Sequence, residues 1–226
     1  MKNEVISKNT FDFLNKLKEN NTREWFLEHK DEFKVEEKSF KDFILALLEE
    51  LNLYDDIEKS KVFRIYRDVR FSKNKTPYKT HLSGSFTRAG ARLRGGYYVH
   101  IESGSSFIAI GFWDPNKEDL FRIRKELELD ASEFREAISN KEFKAIWGEL
   151  EGDELKRAPK GFDVEHKDID LIRKKQYIFT RKFTDKEVLS PNFLSTVNKS
   201  FATVRPFFDL MSDVLTTNLN GESTLD

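Results

Sequence analysis

The 226-residue chain contains no cysteine. That absence excludes disulfides, thiolate zinc sites and cysteine nucleophiles. No apolar run approaches the roughly 20 residues that a membrane helix needs. The first residues, Met1-Lys2-Asn3-Glu4, lack the apolar stretch of a secretory signal. There are only four histidines, dispersed along the chain, and their spacing predicts no metal site. Low-complexity linkers, internal repeats and a clear domain boundary are missing too. These absences predict a soluble cytoplasmic protein of one α+β domain over residues 1–226, frayed at 1–9 and 219–226.

Phenylalanine is abundant, at 21 residues, and can supply much of a core because aromatic rings bury large areas. A fold of this length hides roughly 70% of its unfolded surface, so it needs no covalent staple. The formal net charge of −1 conceals an asymmetry. Residues 61–94 carry ten basic side chains and one acid, and residues 156–186 carry ten and five. Acidic blocks offset them elsewhere. This argues against a wholly basic nucleic-acid binder and for a local anion site.

Thr10 and Thr22 are placed to cap two short helices. Phe40, Phe43, Ile44, Leu47, Leu48 and Leu51 then recur at helical spacing and predict a core-facing helix. Residues 61–71 fit a strand or a helix, with β-branched and aromatic residues favouring a strand. Residues 72–81, with Pro77, read as a loop. Residues 82–88, 97–101 and 107–113 predict three strands, the last two as a hairpin. Helices follow near 116–128, from Asp130 with Glu133 as a capping box, and up to a stop at Gly148. Residues 176–183 alternate like a strand, and Thr184 with Glu187 forms a capping box. Leu194, Val197, Phe201, Val204, Phe208, Met211 and Leu215 mark a C-terminal helix that Pro206 must kink or split. The expected architecture is a small antiparallel sheet of four or five strands, packed by N- and C-terminal helices.

One region carries unusual chemistry. Arg64, Arg67, Arg70, Lys73, Lys75 and Lys79 lie within 16 residues, with Tyr66, Phe71 and Tyr78 between them and Asp68 as the sole acid. Unit charges about 8 Å apart repel by about 2 kcal/mol at an effective dielectric of 20. A converging cluster therefore needs a compensating carboxylate or a bound anion. Arginine suits a fixed anion because its fork matches paired oxygens. The alternative is that Arg64, Arg67 and Asp68 form internal salt bridges while the lysines face water. Asp68 should stay ionised among these cations and orient Arg64 or Arg67. Lys156, Arg157 and Lys160 form a second basic segment that either folds toward the first or stays an exposed loop.

His100 shares a strand face with Tyr98 and Glu102 and is the candidate acid–base group, the alternative being a hydrogen-bonded structural histidine. Pairs such as Asp55-Asp56 read as solvated charge. The glycine-rich 90–96 segment fails the phosphate-loop pattern, since no Lys-Ser/Thr follows.

The run FRIYRDVRFSKNKTPYKTH, residues 63–81, resembles the signature of the family known as domain of unknown function 2461. Further matching runs are NTREWF at 21–26, GGYYVHIE at 95–102, LKRAPKGF at 155–162 and LSPNF at 189–193. The resemblance spans roughly residues 9–212, and Ala158 departs from it where proline is expected. It implies one stand-alone α+β domain and carries over no activity, substrate or cofactor.

The leading expectation is therefore a phosphate-bearing or other anionic ligand in a cleft lined by Arg64, Tyr66, Arg67, Asp68, Arg70, Lys73, Lys75, Tyr78, Lys79, Lys156, Arg157 and Lys160. Catalysis and cofactor stay open. One alternative is an RNA or single-stranded nucleic-acid module, with tyrosines stacking on bases. The other is an interaction protein that uses its C-terminal helix, with a purely structural basic cluster.

Overall fold

The computed structural model describes residues 5–225. Five strands form one antiparallel sheet in chain order: β1 (Ile57–Val62), β2 (Leu82–Arg88), β3 (Gly96–Ile101), β4 (Ser106–Phe112) and β5 (Tyr177–Phe183). The twofold period of a strand separates two faces. Leu82 and Phe86, Tyr97 and Val99, Ile108 and Ile110, and Phe179 point to one face and are buried. Ser83, Ser85, Tyr98, His100 and Phe107 occupy the other, because registered partners share a face.

Among the described residues, ten helices complete the α+β fold. In the N-terminal half these are α1 (Lys8–Glu19), α2 (Arg23–Glu28) and α3 (Lys30–Leu51). Between β4 and β5 lie α4 (Lys117–Leu129), α5 (Ser132–Ser139), α6 (Lys141–Trp147) and α7 (Ile169–Ile172). After β5 come α8 (Asp185–Val188), α9 (Phe193–Ala202) and α10 (Arg205–Thr216). The expected stripe on α3 is core: Phe40, Phe43, Ile44, Leu47 and Leu51 are buried and Leu48 is partly so. Phe207 of α10 meets Phe112, Phe143 and Phe179 with ring centres 5.4–6.2 Å apart. Tyr97 meets Phe201 and Phe208 edge-on.

Local signals act mostly as their chemistry demands. Thr22 caps α2, and Thr184 with Glu187 makes the reciprocal capping box of α8. Pro206 sits in the first turn of α10, where its missing amide costs nothing, and the C-terminal stripe is split at 203–204. Val197, Phe201, Val204, Phe208 and Met211 are all spent in the core. This corrects the idea that the C-terminal stripe could be offered to a partner helix.

Other expectations need correction as well. Ser7, not Thr10, caps α1, while the Thr10 hydroxyl donates to buried Glu36 Oε2 at 2.6 Å. The side-chain oxygen does more in that dry site than at a solvated helix end. Asp130 accepts from the Ser132 amide, and α5 starts without a side-chain cap. Ile6 is buried, and the Thr224 amide donates back to the Thr216 carbonyl at 2.8 Å. Residues 1–4 and 226 lie outside the described residues.

Residues 63–71 are neither strand nor helix. β1 ends at Val62, and the Phe63 amide makes one more bond, to the Ser83 carbonyl. β2 starts at Leu82, so no ladder partner exists beyond that point. The chain leaves as an excursion over 63–81 that pairs only with its own return. Lys79 N–H donates to the Ile65 carbonyl at 2.8 Å and Arg67 N–H to the Pro77 carbonyl at 2.9 Å.

Asp55 is not solvated charge. Its carboxylate accepts from Arg88 Nε at 2.8 and 3.1 Å and from the Tyr97 hydroxyl at 2.5 Å, with both charged side chains almost wholly out of water. Arg88 also donates to the Arg94 carbonyl, Ser212 and Asp209. Gly111 is fixed by a different constraint: at φ +122°, a Cβ there would stand 2.1 Å from the Tyr177 carbonyl oxygen.

Breaking a buried ion pair by removing one partner costs about 3–5 kcal/mol, and without Asp55 the buried Arg88 would keep only the half-exposed Asp209 as a carboxylate. Asp55→Ala is therefore expected to lower unfolding stability by that amount in urea titrations. A loss under about 1 kcal/mol would show that the pair is not the anchor described.

Candidate functional site

The excursion over 63–81 is clamped to the N-terminal helices. The Asn21 side chain accepts from the Tyr78 amide at 3.1 Å and donates to the Tyr78 carbonyl at 3.0 Å. The Tyr78 ring is buried and stacks on Phe26 at 4.0 Å. Tyr78 is thus a structural anchor, while Tyr66 lies half-exposed 5.4 Å from it.

Much of the basic run is also spent on shape. Arg70 pairs with Asp68 at 2.6 Å in the open, and that hydrogen bond holds the Asp68 carboxyl below its ordinary value. Lys75 Nζ donates to the Val69 and Arg70 carbonyls at 2.9 and 3.4 Å. Arg67 donates to the Thr76 carbonyl at 3.2 Å and to the Thr76 hydroxyl. Arg64 and Lys73 are exposed, with no ion pair among the described residues.

A tighter group of cations forms where β1 runs into the excursion. Lys61 Nζ lies 5.0 Å and Lys79 Nζ 5.4 Å from the centre of the Phe63 ring. Burial, then the charges of Arg64 and Lys61, depress the Lys79 pKa. None of Lys61, Arg64 and Lys79 forms an ion pair within 4 Å among the described residues, though the charge of Arg64 reaches the Asp68 carboxylate. Lys61 was not foreseen, because it belongs to a charged edge strand with no apolar pattern.

Beside this group, the open sheet face carries His81, Tyr98, His100 and Glu102. Alternation puts Tyr98, His100 and Glu102 in a row along β3 and its end. His81 and Glu102 each lie one residue beyond the last registered pair, Leu82 with Ile101. His100 Nδ1 lies 3.2 Å from the Tyr98 hydroxyl, and its Nε2 lies 3.3 Å from Glu102 Oε2. Thr80 donates to Glu102 Oε1 at 2.7 Å. Phe107 stacks on the His100 ring at 4.6 Å, and the His81 ring centre is 4.0 Å from that of His100. One donor atom from each of His81, His100 and Glu102 lies within 4.8 Å of the others. Histidine spacing predicts no ligand set; strand register, invisible in that spacing, brings two of the four together.

The electrostatics follow from half-burial. Burial pushes the His81 pKa down to about 4, with the charge of His100 adding to the effect. Burial also lowers His100, against the pull of Glu102. For Glu102, burial raises the pKa, but hydrogen bonds from Thr80 and His100 outweigh it and the net shift is downward. Near neutral pH the site holds two neutral imidazoles and one carboxylate.

The second basic segment does not join this site. Lys156, Arg157 and Lys160 are exposed on a loop that docks at β5 through a Glu151–Ile178 bridge and a Leu155 amide to Arg173 carbonyl bond of 2.8 Å. β5 is the far edge of the sheet from β1, and Ile178 lies at its opposite end. The expectation of one shared cleft is corrected on that topology.

Residues 9–210 match the family described as conserved hypothetical protein (DUF2461), and the chain belongs to it. No curated protein and no solved structure matches the chain.

The depressed histidines set a pH dependence. Imidazole in the unfolded chain titrates near 6.5. Between that value and about 4 the unfolded chain binds more protons than the folded one at His81. Stability gained at neutral pH is therefore lost as pH falls through this window. In EDTA-treated protein, the urea midpoint is expected to drop from pH 7 to pH 5, and less steeply in His81→Asn. An identical slope in the variant would refute the assignment.

Proposed function

We propose that this protein binds a phosphate-bearing small molecule on the open face of the sheet, held by Lys61, Arg64 and Lys79. The observation that carries the reading is that Lys61 and Lys79 flank the Phe63 ring, the charge of Arg64 reaches Lys79, and neither lysine forms an ion pair with a carboxylate among the described residues. Such a cluster is costly unless an anion completes it. Charge-assisted bonds of roughly 1.5–3 kcal/mol each can supply that compensation. The neighbouring His100 has a nitrogen on Tyr98 and another on Glu102. It is the group that would accept or deliver a proton if the ligand reacts. No helix among the described residues is long and apolar enough to cross a membrane. The reading places the protein in the cytoplasm, where phosphorylated metabolites abound.

One observation favours a second reading. Phe71 stands 97% exposed at the tip of the excursion, between Arg70 and Lys73. An aromatic ring among cations is what single-stranded RNA stacks on.

Thermal shift with inorganic pyrophosphate separates the two. The anion site predicts saturable stabilisation that weakens at least tenfold in affinity in the Lys61→Gln, Lys79→Gln double variant. An equal response in that variant would place the anion elsewhere. Binding of an RNA oligonucleotide that collapses with salt and with Phe71→Ala, without a pyrophosphate response, would favour the nucleic-acid reading.

A further inference from the structure

We propose that His81, His100 and Glu102 form a binding site for one borderline divalent transition metal, of the Zn²⁺ class. The inference stands on ligand geometry and does not need the anion reading; with a metal on its Nε2, His100 is a ligand and no longer the proton carrier named above. Two imidazole nitrogens and a carboxylate oxygen are a donor set that suits such an ion, and three protein ligands leave a position open for water or another ligand.

The framework is rigid where it matters. His100 lies near the end of β3, and His81 and Glu102 each lie one residue beyond the last registered pair, Leu82 with Ile101. Cross-strand neighbours on one face hold their Cβ atoms about 4.5–5.5 Å apart, which is within side-chain reach of a common ion. The donor atoms lie within 4.8 Å of one another, and the His100–Glu102 separation is 3.3 Å. Tetrahedral ligands about 2.1 Å from zinc are themselves roughly 3.4 Å apart, so small side-chain rotations close the set.

The outer contacts match what a ligating group requires. The Tyr98 hydroxyl meets His100 at the nitrogen that would not touch the metal. Thr80 holds the Glu102 oxygen turned away from His100. Phe107 fixes the plane of the His100 ring by stacking. His81, half-buried, has no hydrogen-bond partner for its ring among the described residues, and its ring lies against that of His100. A metal would supply the missing partner. One feature opposes a dication: the charge of Lys79 reaches both imidazoles.

The test uses the full chain, stripped with a chelator and titrated with Co²⁺. The expected result is one Co²⁺ per chain with the visible absorption of a four- or five-coordinate site, displaced by Zn²⁺. His81→Ala should weaken binding by more than the roughly 10–100-fold that losing an outer partner costs. Because the His81 ring makes no hydrogen bond among the described residues, that variant should stay folded. Glu102→Gln, which still accepts from Thr80, should weaken it as well. Lys79→Gln should tighten it several-fold, as removal of a repelling charge requires. Absence of visible bands in the wild-type chain, or unchanged affinity in His81→Ala, would overturn the proposal.

Discussion

Arg88 and Asp55 meet inside the core with their charges out of water, and the placement of the sheet depends on that meeting. A buried ion pair gives little net stability, because desolvation offsets the attraction. Its value is geometric. Arg88 belongs to β2, Tyr97 to β3, and Ser212 and Asp209 to α10, and all converge on the one pair. Only one register of α10 over the sheet satisfies them together. Tyr97 must point inward to reach Asp55, so the alternation of β3 forces Tyr98, His100 and Glu102 outward. The polar centre of the core thereby decides which residues meet on the open face.

A basic motif is not the same thing as a basic site. In the 63–81 excursion, the Asn21 clamp and the Phe26–Tyr78 stack fix the base. Arg67, Arg70 and Lys75 satisfy carbonyls and one carboxylate within the loop itself. A loop that leaves a sheet has no ladder for its backbone acceptors, and long cationic side chains supply the missing donors. Of the run, Arg64, Lys73 and Lys79 are left without an ion pair among the described residues, and Lys61 of β1 comes beside Lys79 at the Phe63 ring. Lys61 and Arg64 are open to solvent, whereas Lys79 is partly buried beside the two imidazoles, where an anion would be screened less by water.

Much of the fold was legible in the chain alone. Helical spacing marked Phe40 to Leu51, alternation marked β2 to β5, and Thr22, Thr184 and Pro206 marked helix ends. These signals are local: they arise from hydrogen bonds and burial within a few residues. β1 was misplaced because Ile57–Val62 is a charged edge strand, stabilised by its partner rather than by its own pattern. Asp55 looked like solvated charge because its partner lies 33 residues away.

The candidate site divides in the same way. Tyr98, His100 and Glu102 could be aligned from a period of two, and the cationic run could be counted. Composition and local spacing fixed the family resemblance, the α+β class and the positive mid-chain segment. Tertiary structure alone decided that His81 lies near Glu102, that Lys61 joins Lys79 around Phe63, and that Lys156, Arg157 and Lys160 lie at the far edge. The physical reason is that strand register and sheet order are set by core packing between distant segments, and no window of sequence contains both partners.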